Sequence, residues 1–313
     1  MYDVITIGSG TIDAFVDTGK KLFQSAKGND VKVPFGSKIL VESLRINTGG
    51  GGTNCAVSLS KLGLNVAWIG KVGTGPNSER LLAQVKKEKV DTSLVKKEKQ
   101  GRTGFSVILD AKGHERTILV YKGSNDDLGW NEIKKSKLKT KWFYCSSMIG
   151  KSFKTLEKLA DYAQKNKIKV AFNPSSYMTR KGKNYLMKII KNTNLLVMNN
   201  EEAYDLTKEK NIKKALKKLQ NLGPEIIVIT EGKKGCHAYD GKKVYSIKAH
   251  NIKVAEATGA GDAFTSSFLA GLIKKNDINF ALKLGLANAE SVISHYGAKN
   301  KLLSWNEAMK KIK

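Results

Sequence analysis

The sequence predicts an α/β fold: a three-layer, doubly wound, mainly parallel sheet that carries a small β-sheet lid. Two observations lead to it. From about residue 142 onward, short apolar runs alternate with stretches of helical apolar spacing, the pattern of strands buried between two helical layers. Before that point, segments of period two with hairpin-like connections interrupt the rhythm and do not fit inside a parallel sheet. We assign them to a lid formed by about 14–47 and 96–122. No linker, internal repeat or low-complexity tract divides the chain, so 1–313 is expected to be a single domain.

In order, residues 3–8 read as a buried strand stopped by glycine. Within residues 31–47, Val31, Val33, Ile39, Val41, Leu44 and Ile46 alternate with polar residues, as in a half-exposed hairpin. Four glycines, Gly49 to Gly52, open a helix over 54–62 that Gly63 ends. A strand at 66–69 and a helix at 79–88 follow. Residues 103–109 and 116–121 read as two strands joined around Lys112-Gly113. The regular part has strands at 142–145, 168–172, 195–198, 225–230, 236–239 and 244–247. Its helices lie at 153–165, about 201–221 (two stretches), 260–274, 278–295 and 305–312.

Composition narrows the class. Hydrophobic residues make up 41% of 313, enough for a sizeable core and against global disorder. Cys55, Cys145 and Cys236 are far apart and form no CxxC pair, so they read as reduced, buried thiols. No apolar stretch approaches the roughly 20 residues of a membrane helix. The N-terminus opens on a strand rather than a basic, then apolar, leader, so the expected location is cytoplasmic. The net charge of +27 comes from lysines scattered over the whole chain. A nucleic-acid groove wants arginine and exposed aromatics concentrated in one segment, and none is found. A positive field of this kind attracts anionic substrates such as nucleotides.

Two stretches carry chemistry. In Ala257-Thr258-Gly259-Ala260-Gly261-Asp262, small residues precede an apolar helix. Backbone N–H groups at such a start point outward and hold an anion, and glycine lets phosphate oxygens approach. Asp262, in the first turn beside that anion, suits a general base that takes a proton from an attacking hydroxyl. In Thr48-Gly49-Gly50-Gly51-Gly52-Thr53-Asn54, the glycines bring backbone close to a neighbour, and Asn54 offers a donor and an acceptor to a pair of hydroxyls.

Together these segments resemble the two signature motifs of the PfkB, or ribokinase-like, family of sugar and nucleoside kinases. Other landmarks follow in order. Gly63 and Gly73 stand at the downstream glycine positions of the first motif. Gly8-Ser9 with Asp13 resembles the first strand and its sugar-binding aspartate. Asn199-Asn200-Glu201-Glu202 resembles the NxxE motif, and Thr230-Glu231-Gly232-Lys233-Lys234-Gly235 the TxGxxG nucleotide loop. Asn288 and Gly297-Ala298 match the C-terminal helix and turn near the adenine. The resemblance spans about 3–305.

It implies ATP-dependent transfer of the γ-phosphoryl group to a sugar hydroxyl, with Asp262 as base and Gly259, Ala260 and Gly261 as the anion hole. It implies Glu202 as a Mg²⁺ residue acting through water, helped by Asn199. Asn199, Thr230, Gly232, Gly235 and Asn288 would flank the nucleotide, and Asp13, Gly50, Gly51 and Asn54 would hold the sugar. A homodimer through the lid is a further expectation. The family's Asp-Thr before TGAGD is here Glu256-Ala257, which makes Glu256 a candidate for K⁺. The acidic residue expected in 72–78 and the ribose-contacting Glu expected near 143–147 are both missing. Alternatives stay open: a nucleoside kinase, with Phe15, Phe35 or Phe105 forming a slot for the base; a phosphorylated sugar, met by Arg45, Arg102, Arg116 or Lys122; and, from another class, a nucleic-acid-binding protein on an inactive kinase fold.

Overall fold

A computed structural model describes residues 1–19, 35–110 and 116–312. Its strands are β1 (Tyr2–Ile7), β2 (Thr11–Asp17), β3 (Ser43–Gly49), β4 (Val66–Ile69), β5 (Lys71–Val72), β6 (Lys96–Lys97), β7 (Gly104–Asp110), β8 (Arg116–Tyr121), β9 (Thr140–Cys145), β10 (Lys169–Phe172), β11 (Leu195–Asn199), β12 (Ile226–Thr230), β13 (Cys236–Tyr239) and β14 (Val244–Ile247). Its helices are α1 (Gly51–Lys61), α2 (Pro76–Lys87), α3 (Gly150–Lys165), α4 (Ser176–Thr179), α5 (Lys183–Ile190), α6 (Asn200–Thr207), α7 (Ile212–Gln220), α8 (Ala260–Lys275), α9 (Ile278–Ile293) and α10 (Trp305–Lys311).

The main sheet has eight strands in the order β14-β13-β12-β11-β10-β9-β1-β4. It is parallel from β12 to β4, and β13 and β14 close one edge antiparallel. Both faces are covered, so the central strands are apolar on both sides. Alternation along β1 divides them: Val4 joins the core built by α1, α8 and α9, while Ile5 and Ile7 join the core built by α3, α5, α6 and α7. Along β9, Tyr144 belongs to the first core and Phe143 and Cys145 to the second.

The lid is a four-stranded sheet in the order β3-β2-β7-β8. Its outer pairs are antiparallel and the central β2–β7 pair is parallel. Among the described residues of 31–47 there is no hairpin. Ser43–Gly49 pairs instead with Thr11–Asp17, and part of the expected segment lies outside the described residues. The apolar alternation was real, but its partner strand comes from much earlier in the chain. The pair expected at 103–109 and 116–121 is present as β7 and β8; the turn assigned to Lys112-Gly113 lies outside the described residues. Lys96–Lys97 pairs with Lys71–Val72 rather than with the lid. The short helices α4 and α5 were not foreseen, since Pro174 and Gly182 break their apolar spacing into pieces too short to show a period.

One seam fixes how the first core is stacked. Asn288 of α9 is fully buried, and its amide donates to Ser58 Oγ of α1 (3.2 Å) and Ser267 Oγ of α8 (2.6 Å). Its oxygen accepts from Leu303 N at 2.9 Å. Nearby, α8 and α9 touch backbone to backbone: a Cβ on Gly271 would lie 2.7 Å from Ala281 Cα. Gly271→Val is therefore expected to lower the unfolding free energy by about 1–3 kcal/mol through overpacking. Thermal melts should register a drop of at least a few degrees; an unchanged Tm would mean that the two helices separate at no cost.

Candidate active site

The site forms at the C-terminal edge of the parallel strands, where two helices begin facing each other. The first turn of α1 rests on the end of β1 with no side chain between. A Cβ on Gly52 would sit 2.5 Å from the Gly8 carbonyl carbon. The Thr6 hydroxyl donates to Gly52 O at 3.1 Å, and Gly52 N donates to Ser9 O at 3.0 Å. On the other side, α8 starts at Gly259, whose φ of 81° is left-handed and whose side-chain space is taken by Ala298. No side chain caps this N-terminus; Ala260 N makes a long turn bond to Ala257 O at 3.3 Å, and Gly261 faces the cleft.

This pairing brings residues 208 apart in sequence into contact. Asn54 Nδ2 donates to Asp262 Oδ2 at 2.8 Å, and the Cys55 thiol lies 3.6 Å from Asp262 Oδ1. Asn54 Oδ1 is buried without a protein partner. Desolvation pushes the Asp262 carboxyl up, while Asn54, Cys55 and Lys299 oppose the shift. Asp262 is nevertheless partly open on one side, toward a cleft of about 440 Å³. Gly51, Gly259 and Gly261 line the cleft on its side, and Asn199, Glu202 and Thr230 stand across from them. Gly261 is open to it, because a Cβ there would meet nothing within 4 Å.

Asn199 and Glu202 form a capping box at the start of α6: Glu202 N donates to Asn199 Oδ1 (2.8 Å), and Asn199 N to Glu202 Oε2 (3.0 Å). Burial raises the Glu202 carboxyl to about 7. Gly232 and Gly235 shape the turn from β12 to β13 beyond Thr230 and do not line the cleft. Asn288, expected beside the nucleotide, is fully buried with both ends of its amide used in the core seam. Glu256 is buried and accepts from Gly297 N at 2.7 Å, which ties the segment before α8 to the turn after α9.

Asp13, on β2, lies outside the cleft lining. It is buried, accepts from the Thr11 hydroxyl at 2.8 Å, and sits so close to Gly49 that a Cβ there would be 1.7 Å from its Oδ2. Desolvation raises its carboxyl, opposed by Thr11, Ser106 and Lys299. The register places Asp13 beside Asn47 and Ser106 on one face of the lid, with Phe15, Ile108 and Ile118 next on that face. Phe105 is on the opposite face and Phe35 is fully exposed. Arg45 stacks over the Tyr296 ring at 4.6 Å, and Lys122 over the Tyr177 ring at 4.7 Å.

Sequence reasoning missed Ser146, Asn173 and Thr265 as cleft residues, because a single polar residue just past a strand, as the first two are, or inside an apolar helix, as Thr265 is, carries no spacing signal. It also missed the buried Lys299, one lysine among many.

A family model described as pfkB family carbohydrate kinase matches residues 17–305. The chain belongs to that family. It is a kinase, a phosphotransferase with an alcohol group as acceptor. An Archaeoglobus fulgidus protein described as an uncharacterized sugar kinase is 34% identical over 79% of this pfkB chain and 98% of its own. Two solved structures share the fold: a Methanocaldococcus jannaschii nucleoside kinase (TM-score 0.81, 23% identity, 100% of this chain and 98% of that one) and an Arabidopsis thaliana ribokinase complexed with ribose and ATP (TM-score 0.85, 19%, 100% and 99%). Among the described residues of this pfkB kinase, no helix is long and apolar enough to cross a membrane.

All three cysteines are buried, and burial raises the thiols of Cys145 and Cys236 to about 12 and that of Cys55 well above its usual value, with the Asp262 charge adding to the last. At pH 8, a thiol reagent should therefore find none of them in the native protein and all three after unfolding. Fast labelling of Cys55 in the native protein would contradict the packing behind Asp262.

Proposed function

We propose that this kinase transfers the γ-phosphoryl group of ATP to a hydroxyl of a sugar or sugar-like alcohol. The observation that carries the reading is Asp262 in the first turn of an uncapped helix, bonded to Asn54 and open to a glycine-lined cleft. In the reaction, an acceptor hydroxyl attacks the γ-phosphorus, its proton passes to the Asp262 carboxylate, and the bond to the ADP oxygen breaks. The N–H groups of Gly259, Ala260 and Gly261 stabilise charge on the transferring group. Asn54 Oδ1, lacking a protein partner, suits a donating acceptor hydroxyl, and Asp13 accepts from others near Gly50 and Gly51. ATP lies along the cleft toward Thr230, with the turn of Gly232 and Gly235 beyond.

Residues fit the metal this chemistry needs. Glu202 is a buried carboxyl in the cleft whose ionisation is opposed by desolvation, a setting that a cation relieves. Mg²⁺ would neutralise phosphate charge when bound, and Glu202 and Asn199 would hold it through water. Glu256 stays our candidate for K⁺. We place the enzyme in the cytoplasm.

A second reading, a nucleoside acceptor, is favoured by Phe15 and Ile108, which lie buried side by side next to Asp13 on the same face of the lid and put apolar side chains beyond the sugar position. An ATP-consumption screen over sugars, sugar phosphates and nucleosides separates the two. No turnover with any acceptor, joined to salt-dependent nucleic-acid binding, would favour the inactive-fold alternative instead.

With the acceptor so identified, Asp262→Asn should keep the fold and ATP binding while lowering kcat by roughly 10²–10⁴-fold. Asp13→Ala should lower kcat/KM for the acceptor and barely alter KM for ATP, since it leaves hydroxyls unpaired in a closed site. Near-native turnover of Asp262→Asn would remove the base assignment, and a nucleotide defect in Asp13→Ala would reverse the two ends of the site. The lid face opposite Asp13 exposes Leu44, Ile46, Leu119 and Tyr121, which we assign to a second copy of the chain. Sedimentation should then give a dimer that Leu119→Lys dissociates; a monomer at all concentrations would refute it.

A further inference from the structure

Lys299 is a charge placed where charge is costly. It follows the Gly297-Ala298 turn and is 8% exposed. Its ammonium donates to Thr48 Oγ1 at 2.9 Å and to Thr53 Oγ1 at 2.8 Å. The two threonines bracket the glycine run that joins β3 to α1. Each passes its own proton onward, Thr48 to Gln84 Oε1 (2.9 Å) and Thr53 to Gly49 O (2.6 Å). Their oxygens are therefore left to accept, and the lysine is the donor to both.

The two hydroxyls take two of its three N–H groups and do not balance its charge. The ionisable groups that face it are Asp13 on β2, Asp262 on α8, Cys55 on α1 and Glu88 after α2, and Tyr144 of β9 stands beside Cys55 and Asp262. Desolvation lowers the lysine to about 7, and Asp13 and then Asp262 lead the groups that oppose this. In return, Lys299 opposes the desolvation of each carboxyl. A methionine of similar length would occupy the space without that cost, so stability alone does not account for a lysine here.

We propose that Lys299 is a positioning residue for phosphoryl transfer: its ammonium is the internal counter-ion that keeps Asp13 and Asp262 as carboxylates and ties Thr48 to Thr53 across the glycine run that receives the acceptor. This rests on the reading in which Asp262 is the base and Asp13 binds the acceptor. It places the balancing cation inside the protein, so both carboxylates are charged before any substrate arrives. An uncharged residue at 299 would leave two carboxylates in one desolvated site, where one retains its proton.

The test uses the full chain with 13Cε-labelled lysine and 13Cγ-labelled aspartate, followed by NMR across pH without substrate. One lysine signal, absent in Lys299→Met, should titrate near neutrality while the others keep their ordinary values. Its midpoint should fall by roughly half a unit or more in both Asp13→Asn and Asp262→Asn, because each substitution removes an anion that favours the ammonium. The Asp262 signal, identified by its loss in Asp262→Asn, should move up by about one unit in Lys299→Met. A lysine midpoint unmoved by both asparagine variants, or an Asp262 titration indifferent to Lys299→Met, overturns the proposal. If Lys299→Met does not fold, the two asparagine variants decide alone, with the neutral-range signal as the lysine's mark. These titrations read no turnover. A failed base assignment, seen as full activity in Asp262→Asn, is therefore distinct from a failed counter-ion.

Discussion

The contact between Gly52 and Gly8 is the constraint on which the site depends. Because backbone meets backbone there, the first turn of α1 lies low enough for Asn54 to reach Asp262 at the start of α8. A side chain at either glycine would lift α1 and part the two helix starts. The four consecutive glycines then have four separate reasons. Gly49 makes room for Asp13, Gly50 takes a φ of 92° beside Ser9, Gly51 leaves space at Ser146, and Gly52 admits Gly8. The close approach read from the glycine run is a set of separate approaches, each to a different neighbour.

Much of the main sheet was legible, because its signals are local. A strand such as Leu195–Asn199 is a short apolar run, and a helix such as Ala260–Lys275 opens on glycine and continues with apolar residues. The lid was legible only in part. The alternation at Leu44 and Ile46 identified a strand but not its partner, since pairing with Thr11–Asp17 is a long-range choice that no turn signal announces. In the site, Asp262, Gly259, Gly261, Asn199, Glu202 and Thr230 share one cleft, while Asn288 does not reach it. An asparagine in an apolar helix carries the same letter whether it binds a ligand or locks three helices together. Lys299 was invisible for the opposite reason: lysine is so common in this chain that one buried example has no contrast against the rest.

The two lysines buried among the described residues show how differently the same charge can be used. Lys71 is surrounded by Asp127, Glu98 and Glu132 at 2.8, 3.0 and 3.3 Å, and these partners raise its pKa above the ordinary value despite burial. It fastens β5 to the segments on either side of it. Lys299 has hydroxyls for its hydrogen bonds and is pulled down instead. The first is a clasp whose charge is matched on the spot. The second shares its charge with groups that belong to the cleft and the lid.

The lid is joined to the sheet through the residues that build the site. β1 passes into β2 through Gly8, Ser9 and Gly10, and β3 passes directly through Gly50 into α1. A swing of the lid would bend those two junctions, next to Asp13 and Asn54, as well as the two where β7 enters after Thr103 and β8 leaves at Lys122. Under the proposed reading, lifting the lid to let a product out would pull on the first turn of α1 and slacken the Asn54 hold on Asp262, so that release and disarming would be one movement rather than two.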